Sequence, residues 1–324
     1  ARHQRQLAKE NPPVFRGMFG PFETVYVTDP ELVAKVLHNE DGAYSSALGW
    51  SSIFEDIDSG FARFIALVVL DFEPHRELRR LLQPAFAPGA LGRYLEVAYP
   101  MFEAEAERWL AAGTVDAKPA IRAVLASVAA RIFVGVEDEE QRERLDQATM
   151  DAWAVLHALV RNTWIDPNWR KARRGYARLV DLLEPRVRAA LRNPTDDLLG
   201  RIVSFDAEAP EWLESIEART RLVAAVLLAA FDTTAHGLAS MTYLLAKHPE
   251  WQEKLRAEAI ALDRRRPSME EARSLELADR AWKETLRIFP VVGAPPRRAL
   301  ADVELGGYRI PAGAFVMPAI GLMG

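Results

Sequence analysis

Hydrophobic and polar positions alternate at both ends of the chain and recur with a period near 3.6 through the middle. "PVFRGMFG" and "ETVYVTD" read as two short strands joined through Gly20-Pro21-Phe22, a hairpin. Asp29-Pro30 then opens a short helix, "PELVAKVLHNE", with Asp29 as N-cap and Pro30 at the first helical position. From residue 74 to about 290 nearly every segment reads as helix. Pro74 opens "HRELRRLL", and a long helix covers Ile216 to Lys247. Pro249 opens the next, and a last helix runs to Pro290. "ADVELGGYRIPAG" reads as a hairpin around Gly306-Gly307, and "AFVMPAI" as one more strand. The fold class expected is mainly α with a small β part made from both ends of the chain.

Composition narrows what such a fold is for. Of 324 residues, 49% are hydrophobic and 27% charged, an ordinary globular balance with material for a large core. A net charge of -5 gives no basic field for nucleic acid. The absence of cysteine excludes disulfides, a thiolate metal site and a thiol nucleophile among these residues, and fits a reducing, cytoplasmic setting. The apolar run from Leu222 to Phe231 is interrupted by Asp232, short of the roughly 20 residues of a membrane span. The N-terminus, "ARHQRQLAKE", has no initiator Met or apolar leader, and the C-terminus stops on an apolar segment. Both ends are expected to be cut, leaving residues 1–324 as one incomplete domain.

Four stretches carry candidate chemistry. "LLAAFDTTAHG", residues 227–237, sets Asp232, Thr233 and Thr234 inside an apolar helix. A buried carboxylate is costly unless paired. Asp232 therefore faces either a polar neighbour or a functional cavity, and the threonines either bond carbonyls one turn earlier or serve a ligand. "KETLRIFP" puts Glu284 and Arg287 on one helix face, alone no more than an intrahelical pair worth ~0.2–0.5 kcal/mol. "HRELRR" aligns His75 with Arg79, either a solvated basic face or an anion site. "PPRRALADVELGGYRIPAG" offers Arg297 and Arg298 after a rigid Pro-Pro. The sequence contains no glycine-rich phosphate loop and no metal-ligand spacing.

In their order along the chain, with "HRELR" first, then "AAFDTT", "ETLR" followed by "FP", and "PRRALADVELGGYRIPAG", the four stretches together resemble the cytochrome P-450 family of haem-thiolate monooxygenases, along essentially the whole chain. The resemblance implies the cytochrome P-450-like fold, truncated here before the haem-ligand loop, with haem b (iron protoporphyrin IX) as cofactor. It makes Ala229-Ala230-Phe231-Asp232-Thr233 the oxygen-activation motif, with Ala230 where the family usually has glycine. Asp232 then belongs to the proton-delivery route and Thr233 hydrogen-bonds bound dioxygen or its water. Ala229 and Ala230 lie against the haem. His75, Arg79 and Arg298 hold its propionates, with Arg297 the alternative one register away. Glu284 and Arg287 are a structural lock near the proximal side. The pocket wall is expected from Ala225, Leu228 and Ala229, from Val291 and Val292, and from part of residues 52–70. No metal ligand lies in this sequence, because the family's axial cysteine falls beyond it.

The activity implied is insertion of one atom of O2 into a lipophilic small molecule, with electrons from a separate ferredoxin or flavoprotein reductase. A peroxygenase or rearranging haem enzyme on the same fold, and a haem-free helical fragment, are the alternatives. The Asp232-Thr233 pair argues against the first, and the missing cysteine keeps the second open.

Overall fold

Asp29 ends one kind of structure and begins another, as its sequence context requires. Its carboxylate accepts the backbone N–H groups of Glu31 and Leu32, both at 3.0 Å, while Pro30 fills the first helical position where no N–H is needed. The computed structural model describes residues 12–54, 67–158, 164–195, 197–204 and 210–322. The chain divides into two compact units, one built from residues 1–76 and 286–324 and the other from 77–285. The first unit thus joins the two ends of the chain, as the alternating patterns there imply.

In that unit, β1 (Val14–Phe19) pairs antiparallel with β2 (Phe22–Val27), and α1 covers Pro30–His38. β3 (Tyr44–Ser45) leads into α2 (Ser46–Phe54). The Asp71 carboxylate caps α2 by accepting the N–H groups of Ser46 and Ala47 at 2.8 and 3.2 Å. Near the other end come β4 (Arg297–Ala299), β5 (Val303–Leu305), β6 (Tyr308–Ile310) and β7 (Phe315–Pro318). The larger sheet runs β1-β2-β7-β4-β3, with β2 and β7 parallel and the other pairs antiparallel. Val14, Val27, Val36, Tyr44, Leu305 and Val316 pack together beneath it. β5 and β6 form the expected hairpin, turning on Gly306 and Gly307 at φ of 59° and 81°, which only glycine adopts cheaply at both positions.

The second unit is helical among its described residues. α3 (Phe72–Leu82) enters it from the first unit. It begins two residues before Pro74, the expected start. Pro74 is tolerated because N–H groups of a first helical turn have no intrahelical acceptor. Then follow α4 (Pro88–Ala112), α5 (Ala117–Val134), α6 (Glu139–Trp153), α7 (Pro167–Arg192) and α8 (Leu198–Val203). α9 spans Ile216–Lys247, the expected limits, with Ser215 as N-cap accepting from the Ala218 N–H at 3.0 Å. α10 (Pro249–Ala261), α11 (Met269–Arg273) and α12 (Glu276–Ile288) complete the order.

α9 packs against α5 and α7, and α6 against α7. By length and composition α9 would suffice to cross a bilayer, but its first half is buried against these neighbours. Farther along, Gly237 lies under the Trp282 ring of α12, where a Cβ would come within 2.5 Å of the indole. The Glu258 carboxylate caps α12, accepting the N–H groups of Leu277 and Ala278 at 2.7 and 3.0 Å.

Candidate active site

The polar break in α9 divides the helix lengthwise. From Leu222 to Leu228 the side chains are largely buried, Leu222 at 0% and Ala225 at 2% exposure. From Ala229 onward several positions open: Ala229, Thr234 and His236 are exposed, and Ala230, Asp232 and Thr233 partly so. Both threonines bond back to their own helix. The Thr233 hydroxyl donates to the Ala229 carbonyl and the Thr234 hydroxyl to the Ala230 carbonyl, each at 2.8 Å. Asp232 has the polar neighbour that a half-buried carboxylate needs. Its Oδ1 lies 3.4 Å from Nε of Arg122 on α5, and its Oδ2 lies 3.7 Å from Nδ1 of His236.

The residues expected to wall the pocket on α9 differ in exposure: Ala225 and Leu228 are buried, Asp232 is partly buried and Ala229 is exposed. Ala229, Ala230 and Thr233 form a strip of small side chains on the more open part of the helix. Val291 and Val292, after α12, are exposed. Residues 55–66 of the apolar 52–70 stretch lie outside the described residues.

The two arginines of β4 differ although they are adjacent. Arg298 is taken up by its own fold. Its guanidinium stands 5.0 Å from the Phe315 ring centre and 5.8 Å from that of Phe22. It donates to the Gly313 carbonyl at 2.8 Å and to the Ser52 hydroxyl at 3.1 Å. Arg297 points to the other face of the strand and makes one hydrogen bond among the described residues, to the Pro296 carbonyl at 2.9 Å. Burial pulls its pKa below the ordinary guanidinium value, and the Asp71 carboxylate opposes that. His75 is partly buried in the same unit, while Arg79 is exposed on the part of α3 in the helical unit. Glu284 and Arg287 are exposed on α12.

Arg122 was missed at the level of sequence. The signal is legible in retrospect: a lone arginine in "AIRAVLASVAA", whose other positions are aliphatic or small. Its partner Asp146 gives no comparable signal, because α6 is charged throughout.

The fold itself is shared with solved structures. The retinoic acid-bound cyanobacterial CYP120A1 superposes at a TM-score of 0.81 with 22% identity, covering 98% of this chain and 71% of that one. This places the chain in the class of cytochrome P-450-like folds. A cytochrome P-450 family profile matches residues 1–324, and the chain belongs to that family. Among curated relatives, pentalenene oxygenase of Streptomyces avermitilis is 29% identical over 92% of this chain and 67% of its own length. Cyclooctat-9-en-7-ol 5-monooxygenase of Streptomyces melanosporofaciens is 28% identical over 92% and 66%. The chain spans about two thirds of the length of these relatives.

Family membership implies haem b, and the described residues fit it on two counts. The Ala229-Ala230-Thr233 strip is small enough for a flat ring to approach the helix closely. Arg297 is a partly desolvated cation whose hydrogen bond goes to a neutral carbonyl, which suits a propionate carboxylate. None of the 324 residues is a cysteine, so the axial thiolate is not among them.

Proposed function

We propose that the protein to which this chain belongs is a haem-dependent monooxygenase that inserts one atom of O2 into a lipophilic small molecule, with electrons from a separate ferredoxin or flavoprotein reductase. The observation that carries this reading is the acid–hydroxyl pair of α9, set where the buried helix opens onto a strip of small side chains. Haem, when bound, supplies the reduction and cleavage of dioxygen. The chain's own residues supply position and protons.

In this reading Thr233 would exchange its bond to the Ala229 carbonyl for one to dioxygen or an ordered water, and so would fix a donor in a dry site. Asp232 carries protons toward that hydroxyl. Ala229 and Ala230 keep the helix flat there. Arg297 holds a propionate in preference to Arg298, since Arg298 is already held by two rings and two acceptors. His75 and Arg79 are the further donors, and Glu284 with Arg287 braces the proximal side. Val291, Val292 and Ala229 favour an apolar substrate. Two relatives named for oxygenating pentalenene and cyclooctat-9-en-7-ol support lipophilic molecules of that kind.

The test uses the full-length protein. Its reduced, carbon monoxide-bound spectrum should show a thiolate-ligated Soret band. Turnover under isotopically labelled dioxygen should leave one labelled atom in each product molecule. Product oxygen drawn from water or from added peroxide would contradict a monooxygenase.

A further inference from the structure

One guanidinium ties three helices of the helical unit together. Arg122 projects from α5, where Ile121, Val124 and Val128 are buried. Its Nη1 and Nη2 donate to the two carboxylate oxygens of Asp146 on α6, at 2.8 and 2.6 Å. This two-pronged bond fixes the plane of the guanidinium. Its Nε lies 3.4 Å from Oδ1 of Asp232 on α9, an ion-pair contact and not an aligned hydrogen bond. All three side chains are less than a third exposed, so water screens them only in part.

The two contacts are unequal. Asp146 is gripped by two short bonds and Asp232 is touched by one longer contact. One cation between two carboxylates leaves a net negative charge on the trio, and the looser carboxylate is the one free to exchange partners. Among the described residues His236, exposed one turn on, has its Nδ1 3.7 Å from Asp232 Oδ2 and 2.8 Å from the Asp232 backbone carbonyl. A group that relays protons needs this arrangement: it must be held in place without being saturated.

We infer that Arg122 is a positioning residue that sets where the Asp232 carboxylate points, and that Asp146 is its anchor. The inference rests on the proposed proton-relay role of Asp232 and adds what governs it. Without Arg122, the carboxylate loses the partner that a neighbouring helix supplies among the described residues and is freer to swing.

The experiment compares Asp232→Asn, Arg122→Ala, Arg122→Lys, Asp146→Asn and the double variant Arg122→Ala/Asp232→Asn in the full-length protein. The first readout needs no turnover: the infrared carboxylate band that disappears in Asp232→Asn. It should move in Arg122→Ala and move less in Asp146→Asn. The second is oxygen consumption with substrate and reductant present. Positioned proton transfer contributes about 10²–10⁴-fold, and loss of orientation alone should cost about tenfold in Arg122→Ala. The double variant should be no slower than Asp232→Asn, because Arg122 acts through that carboxylate. If Arg122→Ala does not fold, Arg122→Lys carries the test: it keeps the charge but not the fork, and should give a part-way shift and a part-way rate. An unmoved band, or additive losses in the double variant, overturns the inference and leaves the role of Asp232 standing. Unchanged oxygen consumption in Asp232→Asn overturns both.

Discussion

The two halves of α9 are one continuous helix with opposite duties. Before the break, Leu222 to Leu228 is apolar and largely buried, in a helix that packs on α5 and α7. The second half, from Ala229, opens and carries Asp232, Thr233, Thr234 and His236 within eight residues. In the proposed reading the first half holds the helix still and the second uses that stillness. A hydroxyl back-bonded to its own carbonyl is poised at a known place only because the turn before it cannot move. The same contrast recurs on β4, where Arg298 is spent on the fold and Arg297 keeps most of its donors.

Breaking the enclosed half should have the largest effect. Leu222→Ala removes a fully buried side chain and should cost ~2–5 kcal/mol of stability, read by urea unfolding. A loss below about 1 kcal/mol would mean that the first half is not the anchor described.

Next is the pair on β4. If Arg297 holds a propionate as proposed, Arg297→Ala removes a charge-assisted bond of ~1.5–3 kcal/mol, and haem affinity should fall about 10–100-fold in the full-length protein. Arg298→Ala should leave haem affinity within a few-fold and instead lower stability by about 1 kcal/mol, through lost contact with Phe22 and Phe315. The reverse pattern would restore Arg298 as the propionate ligand.

Smaller again is Gly237→Ala. Crowding against Trp282 costs ~1–3 kcal/mol, offset by ~0.5–1 kcal/mol from replacing glycine inside a helix. A net loss of about 1 kcal/mol is expected by thermal unfolding. Pairing it with Trp282→Leu should relieve the crowding, and no relief would show that the close approach does not matter.

Much of this contrast was legible in the sequence. The limits of α9 follow from Ser215 as cap and the Pro249 restart, and the β unit follows from alternation and from Gly306-Gly307. The acid and hydroxyls could be found because they interrupt an apolar run. What was not legible is pairing across helices. Nothing in spacing says that Asp232 meets Arg122, or that Ala225 is buried while Ala229 is exposed, because a helix pattern gives sidedness but not which neighbour occupies each side. The choice between Arg297 and Arg298 was equally hidden. Adjacent strand residues point to opposite faces, and only the sheet order β2-β7-β4 shows which face holds Phe22 and Phe315.

The central claim is that Thr233 serves chemistry and not its helix, and one variant separates the two. Its hydroxyl bonds only the Ala229 carbonyl among the described residues, so Thr233→Ala should change stability by less than about 0.5 kcal/mol. The measurement is product formed per reducing equivalent in the full-length protein, with hydrogen peroxide counted alongside. The reduced, carbon monoxide-bound spectrum should survive, electron consumption should continue, and product should fall with the difference recovered as peroxide. Unchanged product per reducing equivalent in Thr233→Ala would contradict the account and leave the hydroxyl as a helix back-bond with no part in oxygen chemistry.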